Sequence, residues 1–172
     1  VTHRLLAPDA IDDLLLYRLN RLLATAGSMV IRLCEGRFGI TRREWRVLAL
    51  LARHPGLMSS QLAERAQLDR ARTSRAVTSL VAKQLVAREA GRADRRQARL
   101  ALTADGQALY AQLFPLVTAI NQDVLGVLDA PQLALLDAAL DRMQQRSEAL
   151  VSAAVLPKAD RRRGGRARRT MG

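Results

Sequence analysis

The chain has 172 residues, 49% of them hydrophobic but only 3% aromatic, and a single cysteine. That length suits one folded unit with tails, a core of Leu, Ala and Val favours helices over sheets, and one thiol excludes an internal disulfide framework. Lysine and arginine number 28 against 16 acidic residues, a net charge of +12, which favours a polyanionic partner.

Half of that charge lies in the segment 157–172, where seven basic residues face Asp160 alone and little apolar is available to bury. It is expected to be a disordered Arg-rich tail. The opening VTHRLLAPDAIDD has no apolar stretch, and no apolar run approaches the roughly 18 residues of a membrane span. Neither a signal peptide nor a membrane partner is expected, and the cytoplasm is the natural compartment.

In chain order, Pro8-Asp9 is a helix-start signal, and apolar residues from Ile11 through Leu33 recur at helical spacing, predicting a long first helix that ends near Glu35-Gly36. Thr41 with Glu44 three residues on forms a capping box for a second helix, which stops at His54-Pro55-Gly56. Ser59 or Ser60 opens a third helix with Leu62, Ala63 and Ala66 on its apolar face, and Leu68-Asp69 separates it from a fourth. There Ala76, Val77, Leu80 and Val81 form the apolar stripe, leaving Arg72, Thr73, Arg75, Thr78 and Ser79 largely on other faces.

After Leu85-Val86 the pattern alternates, passes a turn at Gly91 to Asp94, and resumes through Ala98, Leu100 and Leu102, which reads as a hairpin with Arg92, Arg95 and Arg96 at its tip. Thr103 caps a fifth helix containing Pro115, a candidate kink, and a sixth runs from Pro131 to about Ala154. A helix, a turn, a helix rich in Arg, Thr and Ser, and a basic hairpin are the parts of a winged helix-turn-helix that sets one helix in the major groove. The fold class is therefore mainly α, with a two-stranded β wing. Long amphipathic helices on either side predict a homodimer whose twin recognition helices read a palindrome in double-stranded DNA.

Leu68-Asp69-Arg70, Ser74-Arg75, Leu85-Val86, Asp94-Arg95-Arg96 and Leu102-Thr103 with Gly106 together resemble the MarR family of bacterial transcription regulators over about residues 10–152. The resemblance implies a homodimeric repressor, wings outward, that leaves DNA when a small ligand binds. It divides the chain into an N-terminal dimerisation helix (1–40), a DNA-binding lobe (41–102), C-terminal dimerisation helices (103–156) and the tail. Asp94 and Arg96 match the family's wing pair; a carboxylate orienting an arginine at a hairpin tip suits a narrow, electronegative minor groove. Gln84 departs from the family, which commonly has Gly there.

The candidate DNA contacts are thus Arg70, Arg72, Thr73, Ser74, Arg75 and Thr78 on the fourth helix, with Arg92, Asp94, Arg95 and Arg96 on the wing. For a small aromatic acid effector, which the resemblance implies, the candidates are Tyr17, Arg18, Arg21, Trp45 and Arg46, since a guanidinium beside an aromatic plane pairs a carboxylate and stacks a ring. Trp45 fits a core anchor equally well, and Arg18 and Arg21 fit surface or interface charges. Cys34 reads as packing. No Cys/His cluster has metal-ligand spacing and no nucleophile has a neighbouring base, so no metal, cofactor or enzymatic role is expected. A second reading of the same basic surface is a nucleoid-type or RNA-binding protein without sequence preference.

Overall fold

The computed structural model describes residues 3–66, 68–89 and 98–154. Its helices are α1 (Leu15–Arg37), α2 (Arg42–Arg53), α3 (Ser59–Ala66), α4 (Arg70–Ala82), α5 (Ala104–Leu125) and α6 (Ala130–Ala153). Its strands are β1 (Leu57–Met58), β2 (Val86–Glu89) and β3 (Arg99–Leu102), in the antiparallel order β1-β3-β2. The chain divides into two compact units, residues 1–127 and 128–172. No helix among the described residues is long and apolar enough to cross a membrane.

The first unit is organised by apolar stripes of α2, α3 and α4. Val47, Leu48 and Leu51 of α2, Leu62 of α3, Val77 and Leu80 of α4 and Leu100 of β3 are all at most 2% exposed and belong to one core. Leu113 of α5 and Cys34 of α1 enter the same core at 0% exposure. Tyr110 of α5 stacks on Trp45 with ring centroids 5.8 Å apart, and Phe114 continues the column at 5.2 Å. Aromatic pairs at this spacing add about 0.5–1.5 kcal/mol beyond the area they bury.

Helix starts follow the side chains that cap them. Thr41 accepts from the Glu44 amide while Glu44 accepts from the Thr41 amide, the reciprocal capping box expected for α2. Asp69 caps α4 by accepting from the Arg72 amide at 2.7 Å. In the second unit, Asp129 and Gln132 cap α6 reciprocally. The predicted start of the first helix is corrected: Ile11–Asp13 form a single 3-10 turn, Leu14 is extended, and the α-helix begins at Leu15. The acids that signal a helix start are used elsewhere, Asp13 accepting from the Asp9 amide and Asp12 pairing with Arg21, and such side-chain bonds compete with helix.

The wing has a third strand beyond the predicted hairpin. Leu57 pairs with Leu100 and Met58 with Arg99, on the edge opposite β2. Two residues are too few to show alternation, so β1 exists only through pairing with β3.

At the helix-to-wing turn Gln84 takes φ +60°, the left-handed region that favours glycine. The Leu85 amide donates to the Leu80 carbonyl and the Gln84 amide to Val81, so α4 ends in a Schellman turn with both Leu80 and Leu85 buried. The Thr103 hydroxyl donates to the Gln84 carbonyl at 2.6 Å and accepts from the Gly106 amide at 3.0 Å, tying the end of α4 to the start of α5. A Cβ at Gly106 would overlap the Leu85 carbonyl, so only glycine lets α5 begin this close to the turn.

Two opposite stability changes are expected at this junction. Gln84→Gly relieves the left-handed strain and gains about 1 kcal/mol. Gly106→Ala forces the turn and α5 apart and loses about 1–3 kcal/mol. Chemical denaturation of both variants checks this, and a destabilised Gln84→Gly would contradict it.

Candidate nucleic-acid interface

Packing selects which residues of α4 are available to a partner. Thr73, Ala76, Val77 and Leu80 are the buried set, spaced as one helical face, and turn toward α2 and α3. Arg70, Arg72, Ser74, Arg75 and Thr78 are exposed. Thr73 is a correction to the candidate contacts. It is 0% exposed and its hydroxyl donates to the Asp69 carbonyl, so it serves the core and the first turn of the helix, away from a groove. The spacing 73, 76, 77, 80 carried that signal in the sequence.

The exposed residues are not equivalent. Arg72 is drawn back to the helix start, its Nε 3.0 Å from Asp69 Oδ2. Thr78 accepts from Arg88 Nη2 at 3.2 Å, linking α4 to strand β2. Arg88 was absent from the candidate set, because a contact across ten residues and two elements leaves no trace in spacing. Arg99 is committed to the Gly56 carbonyl at 3.1 Å. Arg92, Asp94, Arg95 and Arg96 of the wing tip lie outside the described residues, as does the Arg-rich tail.

On the other flank of α4, a depression of about 260 Å³ is lined by Arg43 of α2, its N-cap Thr41, and Arg72, Arg75, Ser79 and Lys83. Glu44 lies at its base, 2% exposed, and accepts from Lys83 Nζ at 2.9 and 3.0 Å; Lys83 also donates to the Gly39 carbonyl at 2.8 Å. This pair fastens the N-terminus of α2 to the C-terminus of α4. Burial alone would raise the Glu44 pKa, but hydrogen bonds from Ser79, Thr41 and Lys83 and the Lys83 charge outweigh it and hold the carboxyl below the usual glutamate range.

The five effector candidates do not form one site. Trp45 is 8% exposed within the aromatic column and is a core anchor. Arg18 and Arg21 line a cleft with Arg4, Asp12, Asp13, Leu22 and Thr25, where Arg21 pairs with Asp12 at 2.8 Å and lies 6.0 Å from the Tyr17 ring centroid. Arg46 lines a different cleft, of about 400 Å³, formed by Leu23, Ile31 and Glu35 of α1, by Thr41, Arg42 and Arg43, and by Leu68. Helical periodicity could not separate these, since it places residues on a face without saying which neighbour the face meets.

Within the second cleft, Arg46 Nη1 donates to the Ala66 carbonyl at 3.0 Å, at the C-terminus of α3, where a cation is favoured. Arg42 lies against Gly27 of α1. Cys34 is fully buried behind it; burial and the Glu35 charge push its thiol up, against the opposing pull of Arg42. A raised thiol pKa disfavours the reactive thiolate, which agrees with a packing role.

A family model described as the MarR family matches residues 38–97, a segment that begins at the end of α1 and contains α2, α3, α4 and β2. An HTH-type transcriptional repressor of Mycobacterium tuberculosis is 31% identical over 127 residues, covering 74% of this chain and 88% of that repressor. The chain belongs to the MarR family. It is a DNA-binding transcriptional regulator and not an enzyme. A MarR-family regulator structure from Silicibacter pomeroyi superposes with a TM-score of 0.70 at 26% identity, covering 87% of this chain and 97% of that one. Bordetella bronchiseptica BpsR, whose DNA binding is regulated by 6-hydroxynicotinic acid, shares the fold with a TM-score of 0.63 at 23% identity over 74% of this chain and 98% of its own. In this MarR-family chain the left-handed turn that ends α4 is made by Gln84, a residue with a side chain.

The Glu44–Lys83 pair predicts an acid-sensitive lock. The folded pKa of Glu44 lies below its ordinary unfolded value. Its stabilisation is therefore full above that value and is lost as pH falls through the folded pKa. Urea midpoints of the wild type should fall more steeply with acidification than those of Glu44→Gln; parallel profiles would remove Glu44 from this role.

Proposed function

We propose that this MarR-family regulator is a ligand-responsive repressor that binds a palindromic operator as a homodimer, in the cytoplasm, and is released by a small aromatic carboxylate. The observation that carries the DNA-binding reading is the exposed edge of α4, where Arg70, Ser74, Arg75 and Thr78 stand on a helix whose opposite face is locked into the core. Arg75 is the strongest candidate for base readout, because it is exposed and pairs with no carboxylate among the described residues, whereas Arg72 is held by Asp69. A free guanidinium presents two parallel donors to guanine O6 and N7. Arg92, Arg95 and Arg96 would approach the neighbouring minor groove, with Asp94 orienting Arg96.

Dimerisation through 1–40 and 103–156 is supported by apolar side chains left uncovered in one copy. Leu16 is 80%, Leu22 54% and Leu23 52% exposed in α1, and Leu135 is 70% and Val151 77% exposed in α6. Apolar surface on this scale is usually buried in an oligomer. The effector reading rests on the cleft of Arg42, Arg43 and Arg46, where three guanidiniums face one carboxylate, Glu35, beside Leu23 and Ile31. Cations beside an apolar wall suit an aromatic acid, and the regulation of BpsR by 6-hydroxynicotinic acid is a case of such chemistry on the same fold. Ligand acts only through its differential affinity for the DNA-competent and the incompetent dimer.

The test is an operator selected from the DNA flanking the gene, compared with a scrambled duplex at about 0.15 M salt, where nonspecific binding is weak. Wild type should prefer the operator by about a thousandfold or more. Arg75→Ala should lose about 10–100-fold on the operator and far less on scrambled DNA. Equal wild-type affinity for the two duplexes would return the protein to the nonspecific class.

A further inference from the structure

Arg43 borders both basic clefts. It lines the depression beside α4 with Arg72, Arg75 and Lys83, and it lines the cleft against α1 with Arg42 and Arg46. Thr41, which caps the same helix, is the other residue common to the two. Their neighbours differ in freedom. On the α4 side Arg72 is held by Asp69, and Lys83 by Glu44 and the Gly39 carbonyl. On the α1 side Arg46 is held by the Ala66 carbonyl and Arg42 lies against Gly27. Arg43 is exposed and bonds to no group among the described residues. Arg75 is likewise held by no carboxylate or carbonyl among them, but of the two only Arg43 borders both clefts.

We propose that Arg43 is a shared anion ligand: beside α4 it holds a backbone phosphate of bound DNA, and in the α1–α2 cleft it holds the carboxylate of the effector, so that the two anions compete for one guanidinium. A helix about 10–12 Å across, lying in a groove about 12 Å wide, brings the phosphates of the groove rim beside its flanks. Arg43 and Arg75 line the same depression on one such flank, and Arg88 of β2 is bonded to Thr78. An arginine fork serves phosphate and carboxylate with the same donors, but serves only one anion at a time. Arg42 and Arg46 bind and orient the effector, and Arg43 reports its presence to the DNA side. This inference rests on the effector reading above and adds a direct competition to any change in the spacing of the recognition helices.

Fluorescence anisotropy on a 25-bp duplex of random sequence, titrated with salt and then with benzoate or 6-hydroxynicotinate, tests it without knowledge of the operator. Arg43→Gln should bind about three- to tenfold more weakly, with the slope of log affinity against log salt shallower by about one phosphate's worth, roughly 0.9. Arg43→Lys should recover most of that slope as a point charge. Arg53→Gln removes an equal charge about 15 Å along the same helix and should leave the slope unchanged. Either acid should release wild type from the duplex and leave the residual binding of Arg43→Gln untouched. A wild-type slope in Arg43→Gln overturns the phosphate contact, and release of that variant at the wild-type acid concentration overturns the competition. Failure of both acids to release wild type counts against the effector reading itself, and the competition falls with it.

Discussion

Burial of Thr73, Ala76, Val77 and Leu80 against α2 and α3 is the constraint on which the proposed DNA-facing surface depends. A helix of 13 residues is marginal in water, so α4 persists because its apolar stripe is covered. That same covering fixes its rotation. With one face committed, Arg70, Ser74, Arg75 and Thr78 have no alternative to the opposite side. Exposure of this polar edge follows from packing at residues that would never touch DNA.

Two polar fastenings then fix the helix along its axis. At its start Asp69 caps the first turn and holds Arg72; at its end Lys83 reaches the buried Glu44 of α2 while Gln84 makes the left-handed turn into the wing. The second fastening joins three elements, because Thr103 bonds to Gln84 and Gly106 leaves room for Leu85. A displacement of α2 would therefore be transmitted to both ends of the wing and to the recognition helix. That linkage connects α2, which carries Arg42, Arg43 and Arg46 of the proposed effector cleft, to the recognition helix.

Much of this architecture was legible before any coordinates. The capping box of Thr41 and Glu44 and the Thr103 cap are local devices whose partners lie three residues away, so spacing alone reveals them. The hairpin was legible from alternation, as the pairing of Val86 with Leu102 and Arg88 with Leu100 requires. The candidate effector group was not legible as a group. Tyr17, Arg18, Arg21, Trp45 and Arg46 share chemistry but are parted among a surface cleft, the aromatic core and the α1–α2 cleft.

What the sequence determined by itself is the class of molecule: a helical chain with little aromatic content, a winged helix-turn-helix and a strong positive charge, since helical period, caps and net charge are properties of neighbouring residues or of simple sums. Only the tertiary structure decided which cations remain free. Arg72, Lys83, Arg46 and Arg99 look like Arg43 and Arg75 in sequence, yet each is committed to a carboxylate or a carbonyl, most of them in another element. The physical reason is that a guanidinium or ammonium is defined by what comes within about 3 Å of it. Except for the cap that holds Arg72, those partners are brought there by the packing of helices and, for Arg99, the pairing of strands remote in the chain.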